Sequence, residues 1–193
     1  MIYLVRHGQT AFNAEGRLQG GMDSPLTELG VAQGRRIGRA LADVVPRDSR
    51  IIASPLGRAQ HTARLIRETG GFVADIETDE RIAELQLGEW DGKLKLDIEQ
   101  SSPDFDAGRR RWSWYFDAPG GTSFEGISAR ISSWLDDARK FDAPTIVVSH
   151  GIASRVLRGL FLGLSREETL MQDIPQDACF HLSDGAMRRI DCP

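Results

Sequence analysis

The sequence predicts an α/β layer fold with a mostly parallel central sheet. Short apolar segments rich in strand-forming residues alternate with longer segments in which apolar residues recur at helical spacing. The chain of 193 residues is 40% hydrophobic and 27% charged, which is ordinary for a globular protein that needs no metal or disulfide to hold its core. We expect a single domain over residues 1–193, with a cap-like insertion at about 85–122.

The first half of the chain is predicted to form three strands and two helices. Thr27 is a typical N-cap, and helical spacing follows it. The second helix is predicted to hold Pro55 in its first turn and to end near Thr69. Residues 8–24 are rich in glycine and polar side chains and predict a long loop of the kind that often carries function. The strands are predicted at 2–5, 50–53 and 72–76, and the face of the first helix at Leu29, Ala32, Gln33, Ile37 and Leu41.

The second half of the chain continues the alternation after an irregular segment. Residues 80–122 combine a Gly-Glu-Trp-Asp-Gly loop, a short helix and an Arg- and Trp-rich stretch, so we interpret this region as an inserted cap. Asp184-Gly185 predicts the turn of a C-terminal hairpin. The predicted elements are helices at 94–100, 123–140 and 152–162, a buried strand at 145–148, and hairpin strands at 179–182 and 187–190.

Charge and hydropathy exclude several classes of function. A net charge of −4 disfavours a general nucleic-acid or anionic-membrane surface, so we expect neither partner. No apolar run approaches the roughly 18 to 20 residues of a membrane span, and the apolar opening is too short for a signal peptide. We therefore expect a cytoplasmic protein, in which Cys179 and Cys192 are free thiols.

Two predicted strands lead into similar tripeptides. Arg-His-Gly at 6–8 follows the first strand, and Ser-His-Gly at 149–151 follows the strand at 145–148. Ligands of open α/β sheets bind beyond the carboxyl ends of the strands, so we expect His7 and His150 to lie side by side. Either histidine alone would be interpreted as a core residue, whereas the matched pair predicts a ligand site.

Two arginines are expected beside these histidines. Arg6 directly precedes His7, and Arg58 lies in the first turn of the helix after the second strand, whose N-terminus itself favours an anion. Two planar guanidinium groups and two imidazoles that converge on one point suit a tetrahedral, multiply charged anion. The residues therefore predict a phosphate site.

At this point the chain resembles the histidine phosphatase superfamily, the cofactor-dependent phosphoglycerate mutase-like enzymes. The resemblance implies a three-layer α/β/α sandwich with a small inserted cap, and it covers the chain in order to about residue 165. The motifs that carry it are LVRHGQT at 4–10, Asn13, RLQG at 17–20, DSPLT at 23–27, SPLGRA at 54–59, Thr62-Ala63, ELQLGEWDG at 84–92, PGG at 119–121 and VSHG at 148–151.

The resemblance implies a role for each catalytic position. His7 resembles the nucleophile that becomes phosphohistidine, and Arg6, Arg58 and His150 resemble the groups that hold the phosphoryl oxygens. Glu84 resembles the general acid that protonates the leaving oxygen and then activates water. This chemistry is sensible without the family, because a neutral imidazole is a nucleophile near pH 7 and fixed cations stabilise the phosphoryl charge. We expect neither a metal nor another cofactor.

Four further residues resemble substrate-binding positions of the family. Asn13, Gln19 and Gly20 are similar to parts of the loop around the phosphate and the leaving group, and the backbone N–H of Gly151 is expected within reach of the same group. The substrate implied is a small-molecule phosphomonoester. A monomer and a homodimer both remain open.

Several alternatives remain open at this stage. By chemistry alone the neighbouring acids Glu80, Glu89 and Asp91 compete with Glu84. The short insertion and the GEWDG loop favour a phosphatase over a mutase, while mutase-type transfer and a non-catalytic phosphate-binding module remain alternatives. The run Arg109-Arg110-Arg111 with Trp112, Trp114 and Tyr115 is either a cap segment that touches the far end of the substrate or a solvated face; nucleic-acid binding is less favoured in an acidic protein.

Overall fold

The computed structural model describes residues 1–101 and 112–192 and confirms the α/β architecture. Within these ranges no helix combines the length and apolarity that crossing a bilayer requires. The strands are β1 (Ile2–Arg6), β2 (Arg50–Ala53), β3 (Ile76–Thr78), β4 (Thr145–Ser149), β5 (Ala178–Ser183) and β6 (Ala186–Asp191). The helices are α1 (Ala11–Glu15), α2 (Glu28–Ala42), α3 (Gly57–Gly70), α4 (Lys95–Ser101), α5 (Phe124–Ala138), α6 (Gly151–Leu162) and α7 (Arg166–Met171).

The strands form one mixed sheet in the order β3-β2-β4-β1-β5-β6. The first four in this order are parallel to one another, and β5 is antiparallel to both of its neighbours. Between β1 and β4, Val5 lies opposite Val148 and Arg6 lies opposite Ser149, so the two strands end at the same level. The N–H of His7 donates to the carbonyl of Ser149 at 3.0 Å and extends this pairing to the first residue of the site.

Helices cover both faces of the sheet, because successive side chains of a strand point to opposite sides. On one face Leu4 belongs to a buried cluster that includes Trp134 of α5 and several residues of α6. On the other face Val5 belongs to a cluster with Ile37 of α2 and Ile66 of α3. This arrangement is the three-layer α/β/α sandwich that the resemblance implied.

Two short helices were not predicted. The segment 8–24, expected as a loop, contains the five residues of α1, and Thr10 caps this helix by accepting a hydrogen bond from the N–H of Asn13. The six residues of α7 are capped in the same way by Ser165 and Glu168. One turn or slightly more is too short for apolar periodicity to show in a sequence, whereas a cap needs only two suitable residues.

Two predicted boundaries on either side of α3 are wrong. Pro55 lies before the N-cap Leu56 and therefore outside the helix. β3 begins only where the predicted strand 72–76 ends, because Phe72 follows the left-handed C-cap Gly71 and turns into the core. Both misplacements concern residues beside a helix end, where local sequence constrains the boundary least.

The buried face of α2 was predicted correctly at Gln33, Ile37 and Leu41, whereas Leu29 and Ala32 are not buried. Leu29 is 46% exposed, while Gly30, Gly34 and Gly38 are buried together with Ile37. These glycines bring the helix backbone close to its neighbours, since a Cβ on Gly30 would lie 2.0 Å from the carbonyl oxygen of Gln9. Apolar spacing alone does not reveal a face that packs through glycine.

The close approach at Gly30 predicts a large stability effect. Gly30→Ala is expected to lower the free energy of unfolding by about 3 kcal/mol, because its new methyl group meets rigid backbone. In the matched variant Gly34→Ala the new methyl group meets side chains and no backbone, with Cδ1 of Leu65 at 3.0 Å and its Cβ at 3.3 Å, and the helix gains propensity. Urea unfolding of both variants tests this expectation; equal stabilities would contradict it.

The predicted insertion contains α4, which agrees with the helix expected at 94–100, and 3₁₀ turns at Gly88–Trp90 and Trp114–Asp117. The rings of Trp90 and Trp114 lie 6.0 Å apart, centroid to centroid. The predicted Arg109–Arg111 run lies outside the described residues, so its role stays a prediction.

Candidate active site

The carboxyl ends of β1 and β4 bring the two predicted histidines together. The ring centroids of His7 and His150 are 5.1 Å apart, with 57° between the ring planes. Both side chains are buried, at 3% and 0% exposure. His150 caps α6, and its Nε2 lies 2.6 Å from the hydroxyl of Ser54, while its Nδ1 has no hydrogen-bond partner among the described residues.

Hydrogen bonding selects the tautomer of His7. Nδ1 lies 2.8 Å from the carbonyl oxygen of Gly8, which can only accept, so Nδ1 carries the proton of a neutral ring. Nε2 then keeps its lone pair, and Arg58 Nε donates to it at 3.3 Å. The carbonyl of Gly8 therefore leaves the lone pair of the neutral ring on Nε2.

Burial keeps both imidazoles neutral. It is the largest cause that lowers the pKa of His7 well below 6.5, and the cations Arg6 and Arg58 lower this pKa further. Burial likewise lowers the pKa of His150, followed by the effect of Arg58. Both imidazoles thus stay neutral at pH values where histidines of an unfolded chain are charged.

These shifts predict a titration that nitrogen-15 NMR of the histidine side chains can follow. At pH 6.5 His7 and His150 should both be neutral, whereas about half of the imidazoles of the urea-unfolded chain are charged. Inorganic phosphate should raise both pKa values, since an adjacent anion favours the imidazolium form. An imidazolium signal from either residue at pH 6.5 without phosphate would contradict the expectation.

Arg58 is held by the loop before α2 as well as by its own helix. Its Nη2 donates to the carbonyl of Gly20 at 3.0 Å, and its Nη1 donates to the carbonyl of Met22 at 2.6 Å. The carboxylate of Asp23 accepts from both the backbone N–H and Nη1 of Arg58, each at 3.2 Å. The anion expected at the N-terminus of α3 is therefore Asp23 of the chain itself, a role that sequence reasoning missed.

Arg6 is one of three arginines fixed by consecutive backbone carbonyls after α7. Arg155 Nε donates to the carbonyl of Gln172 at 2.5 Å, and Arg6 Nη1 donates to that of Ile174 at 2.6 Å. Arg158 donates to the carbonyl between them. Burial lowers the pKa of Arg6 to about 10, so this guanidinium stays charged at neutral pH. Sequence reasoning missed the segment 172–174, because a carbonyl contact leaves no trace in residue identity.

Glu84 lies at the N-terminus of α6. Its Oε2 accepts from the N–H of Ile152 at 3.1 Å, and its Oε1 accepts from the N–H groups of Ala153 at 3.0 Å and Leu85 at 3.1 Å. The backbone of two segments thus orients this carboxyl group at the cavity wall.

The competing acids lie elsewhere. Glu80, Glu89 and Asp91 do not line the cavity that contains His7. Asp91 packs against two segments that line the cavity. Its Oδ1 accepts a hydrogen bond from the N–H of Leu87 at 3.2 Å, and the same atom would lie 2.0 Å from a Cβ added to Gly20. Of these four acids, which chemistry alone could not distinguish in the sequence, Glu84 is the one that lines the cavity.

The four predicted substrate-binding residues also line the cavity, and their hydrogen bonds and contacts differ. The Oδ1 of Asn13 accepts from Gln176 at 3.3 Å. The amide of Gln19 is occupied on both sides, by the hydroxyls of Thr10 and Ser24. Gly20 offers its carbonyl to Arg58, and Gly151 begins α6 beside Arg6.

The cavity has a volume of about 310 Å³, large enough for a phosphoryl group and part of its leaving group. In the described part of the chain, no group of three His, Cys, Asp or Glu side chains could hold a metal ion. The outer wall of the cavity is largely apolar and aromatic. Its members are Leu18, Leu85, Leu87, Trp112, Trp114, Tyr115, Ile152 and Ile174.

Comparison with known proteins decides the family. A sequence model of the histidine phosphatase superfamily (branch 1) matches residues 2–183. The chain belongs to this superfamily. A relative named probable phosphoglycerate mutase GpmB, from Enterobacter sp. (strain 638), is 40% identical over 169 residues, which cover 84% of this chain and 75% of that protein.

Solved structures extend the similarity to the whole histidine phosphatase fold. YhfR of Bacillus stearothermophilus is 28% identical, with a TM-score of 0.82 over 98% of this chain and 95% of that one. Mycobacterial glucosyl-3-phosphoglycerate phosphatase Rv2419c in complex with VO3 is 25% identical, with a TM-score of 0.75 over 98% and 96%. This histidine phosphatase superfamily member thus has relatives named as phosphatases and relatives named as mutases.

Proposed function

We propose that the protein is a metal-independent phosphatase that hydrolyses a phosphomonoester through a phosphohistidine on His7. The observation that carries this proposal is the Nδ1 contact to Gly8, which leaves Nε2 as the nucleophile beside Arg58. A weak nucleophile becomes effective when it is positioned against a group whose developing charge is stabilised. Arg6 and Arg58 supply the positive charge that stabilises the phosphoryl group, so the proposed reaction needs no metal ion.

The first step forms the covalent intermediate. The lone pair of His7 Nε2 forms a bond to phosphorus while the bond from phosphorus to the leaving oxygen breaks, and the protonated carboxyl of Glu84 gives its proton to that oxygen. Arg6 and Arg58, which line the cavity, hold the equatorial phosphoryl oxygens, where the charge of the transition state is spread. His150 lies behind them, fully buried beside His7, and its Nδ1, which has no partner among the described residues, is the atom that would contact a phosphoryl oxygen.

The second step regenerates the histidine. The carboxylate of Glu84 accepts a proton from water, the water oxygen bonds to phosphorus, and the P–N bond breaks and returns its electron pair to His7. Inorganic phosphate leaves, and the carboxyl of Glu84 is again protonated for the next cycle. One carboxyl group therefore serves as acid and then as base.

Two further observations support hydrolysis over transfer to a second substrate. Only a short insertion separates Glu84 from the PGG motif at 119–121, which limits how completely a cap can exclude water. The similar mycobacterial structure is named a phosphatase and contains VO3, which is an analogue of the phosphoryl group.

The direct test uses a phosphorus-32-labelled aryl phosphate and a rapid quench in alkali, since the P–N bond of phosphohistidine survives alkali and breaks in acid. Label should remain on the wild-type protein and be lost in acid, whereas His7→Ala should retain none. His61→Ala is the matched control, because His61 lies outside the cavity. Stoichiometric label on His7→Ala would contradict the proposal.

Mutase-type transfer is the second candidate, because the relative that is 40% identical is named a probable phosphoglycerate mutase. Incubation with 3-phosphoglycerate and a trace of 2,3-bisphosphoglycerate separates the two activities. The proposed phosphatase releases inorganic phosphate, whereas a mutase forms 2-phosphoglycerate and releases almost none.

A further inference from the structure

Two arginines of the cavity wall, Arg17 and Arg155, take no part in the proposed chemistry. Among the described residues, four arginines line the cavity, Arg6, Arg17, Arg58 and Arg155, together with one carboxylate, that of Glu84. Arg17 is paired with an exposed glutamate and Arg58 with Asp23. Within residues 1–101 and 112–192, neither Arg6 nor Arg155 has a carboxylate at ion-pair distance. A bound phosphoryl group would serve Arg6, which leaves Arg155 without a counter-charge.

The guanidinium group of Arg155 is buried, and some of its N–H groups have no hydrogen-bond acceptor among the described residues. The residue is only 7% exposed and lines the cavity. Its Nε is occupied by the carbonyl of Gln172, and its Nη1 donates to the hydroxyl of Tyr115 at 3.4 Å. In the described chain Nη2 has no hydrogen-bond partner. A buried charge without a counter-charge is costly, so its retention in a cavity wall points to a ligand.

Tyr115 adds a second donor beside the first. Its hydroxyl oxygen accepts from Arg155, which leaves the O–H proton free to donate. Burial raises the pKa of Tyr115, so the hydroxyl stays protonated at neutral pH. The ring of Trp112, whose centroid lies 5.7 Å from the guanidinium carbon, covers Arg155 from the side. Two donors therefore converge at the same wall of the cavity.

We propose that Arg155 and Tyr115 form an anion subsite that binds a carboxylate on the leaving group of the phosphomonoester. This inference rests on the proposed function, because it places the phosphoryl group at Arg6 and His7. One guanidinium edge with one hydroxyl matches the single charge and planar oxygens of a carboxylate. The apolar side chains of the outer wall would contact the carbon chain between the two anions.

The test measures binding rather than turnover. Phosphonoacetate, 3-phosphonopropionate and 4-phosphonobutyrate carry a phosphonate and a carboxylate at increasing separation, and their carboxyl methyl esters lack the second charge. In isothermal titration calorimetry, at least one acid should bind about 10- to 100-fold more tightly than its ester. This ratio of dissociation constants corresponds to the usual free energy of a hydrogen bond to a charged group.

Variants assign this preference to the subsite. Arg155→Met should abolish the preference for acid over ester, and Tyr115→Phe, which preserves packing, should reduce it a fewfold. Arg158→Met is the matched control, because Arg158 is also buried and bound to the same backbone segment but does not line the cavity. It should keep the full preference even where both methionine variants lose thermal stability.

Three outcomes would overturn the subsite. They are no preference at any chain length, a preference that survives in Arg155→Met, and tighter binding of the matching alkylene bisphosphonate than of the carboxylate. These outcomes leave the labelling of His7 unchanged, whereas a failure of that labelling would contradict the phosphohistidine mechanism and would not alter the measured preference for acid over ester.

Discussion

Replacing His7 by alanine is expected to lower kcat for p-nitrophenyl phosphate by at least about 10⁴-fold, because the variant has no atom that can form the covalent intermediate. The side chain is buried against Gly8 and Arg58, so its removal also leaves a small polar space. Steady-state kinetics at saturating substrate provide the measurement, and a thermal melt of the same preparation shows whether the fold is intact.

The control for this change is His61→Ala, which removes the same side chain from the outer face of α3 and should leave kcat within about twofold. A His7→Ala protein that melts like wild type and keeps more than about 1% of kcat would contradict the nucleophile assignment, because residual binding and charge stabilisation alone do not supply that much.

Replacing Arg58 by lysine is expected to lower kcat by about 10²- to 10³-fold, the usual effect of losing one well-placed donor to a transition-state oxyanion. Lysine keeps the charge but not the planar fork, which here contacts Gly20, Met22 and Asp23 while Nε faces His7. KM should change less than kcat if the contact strengthens in the transition state.

Arg64→Lys serves as the matched control, since Arg64 lies on an exposed part of the same helix and outside the cavity. A loss of kcat in both variants, or in neither, would contradict a specific role for Arg58. Equal increases in KM with unchanged kcat would assign Arg58 to ground-state binding instead.

The sequence predicted the parts of this fold that depend on residue type. Buried strands and long amphipathic helices show in apolar spacing, and the two His-Gly steps predicted correctly that His7 and His150 lie side by side. Parallel strands that end at one level bring such residues together irrespective of their separation in the chain.

The sequence did not reveal the features that depend on hydrogen bonds to backbone groups or on close packing at glycines. The buried face of α2 is built on glycines, and Arg58 is held largely by the carbonyls of Gly20 and Met22. The proposed anion subsite at Arg155 was missed for a related reason, because only the fold shows that this helical arginine faces the cavity. Backbone atoms are the same in every residue, so their partners are visible only in three dimensions.

The backbone carbonyls of residues 172–174 each accept a hydrogen bond from a different arginine and so position these cations relative to one another. Arg6 and Arg155 are bound to different peptide units of this segment, so the backbone spacing between residues 172 and 174 contributes to the spacing between the two cations. Insertion or deletion of a single residue there would shift one cation relative to the other, and with it the length of substrate that fits between them.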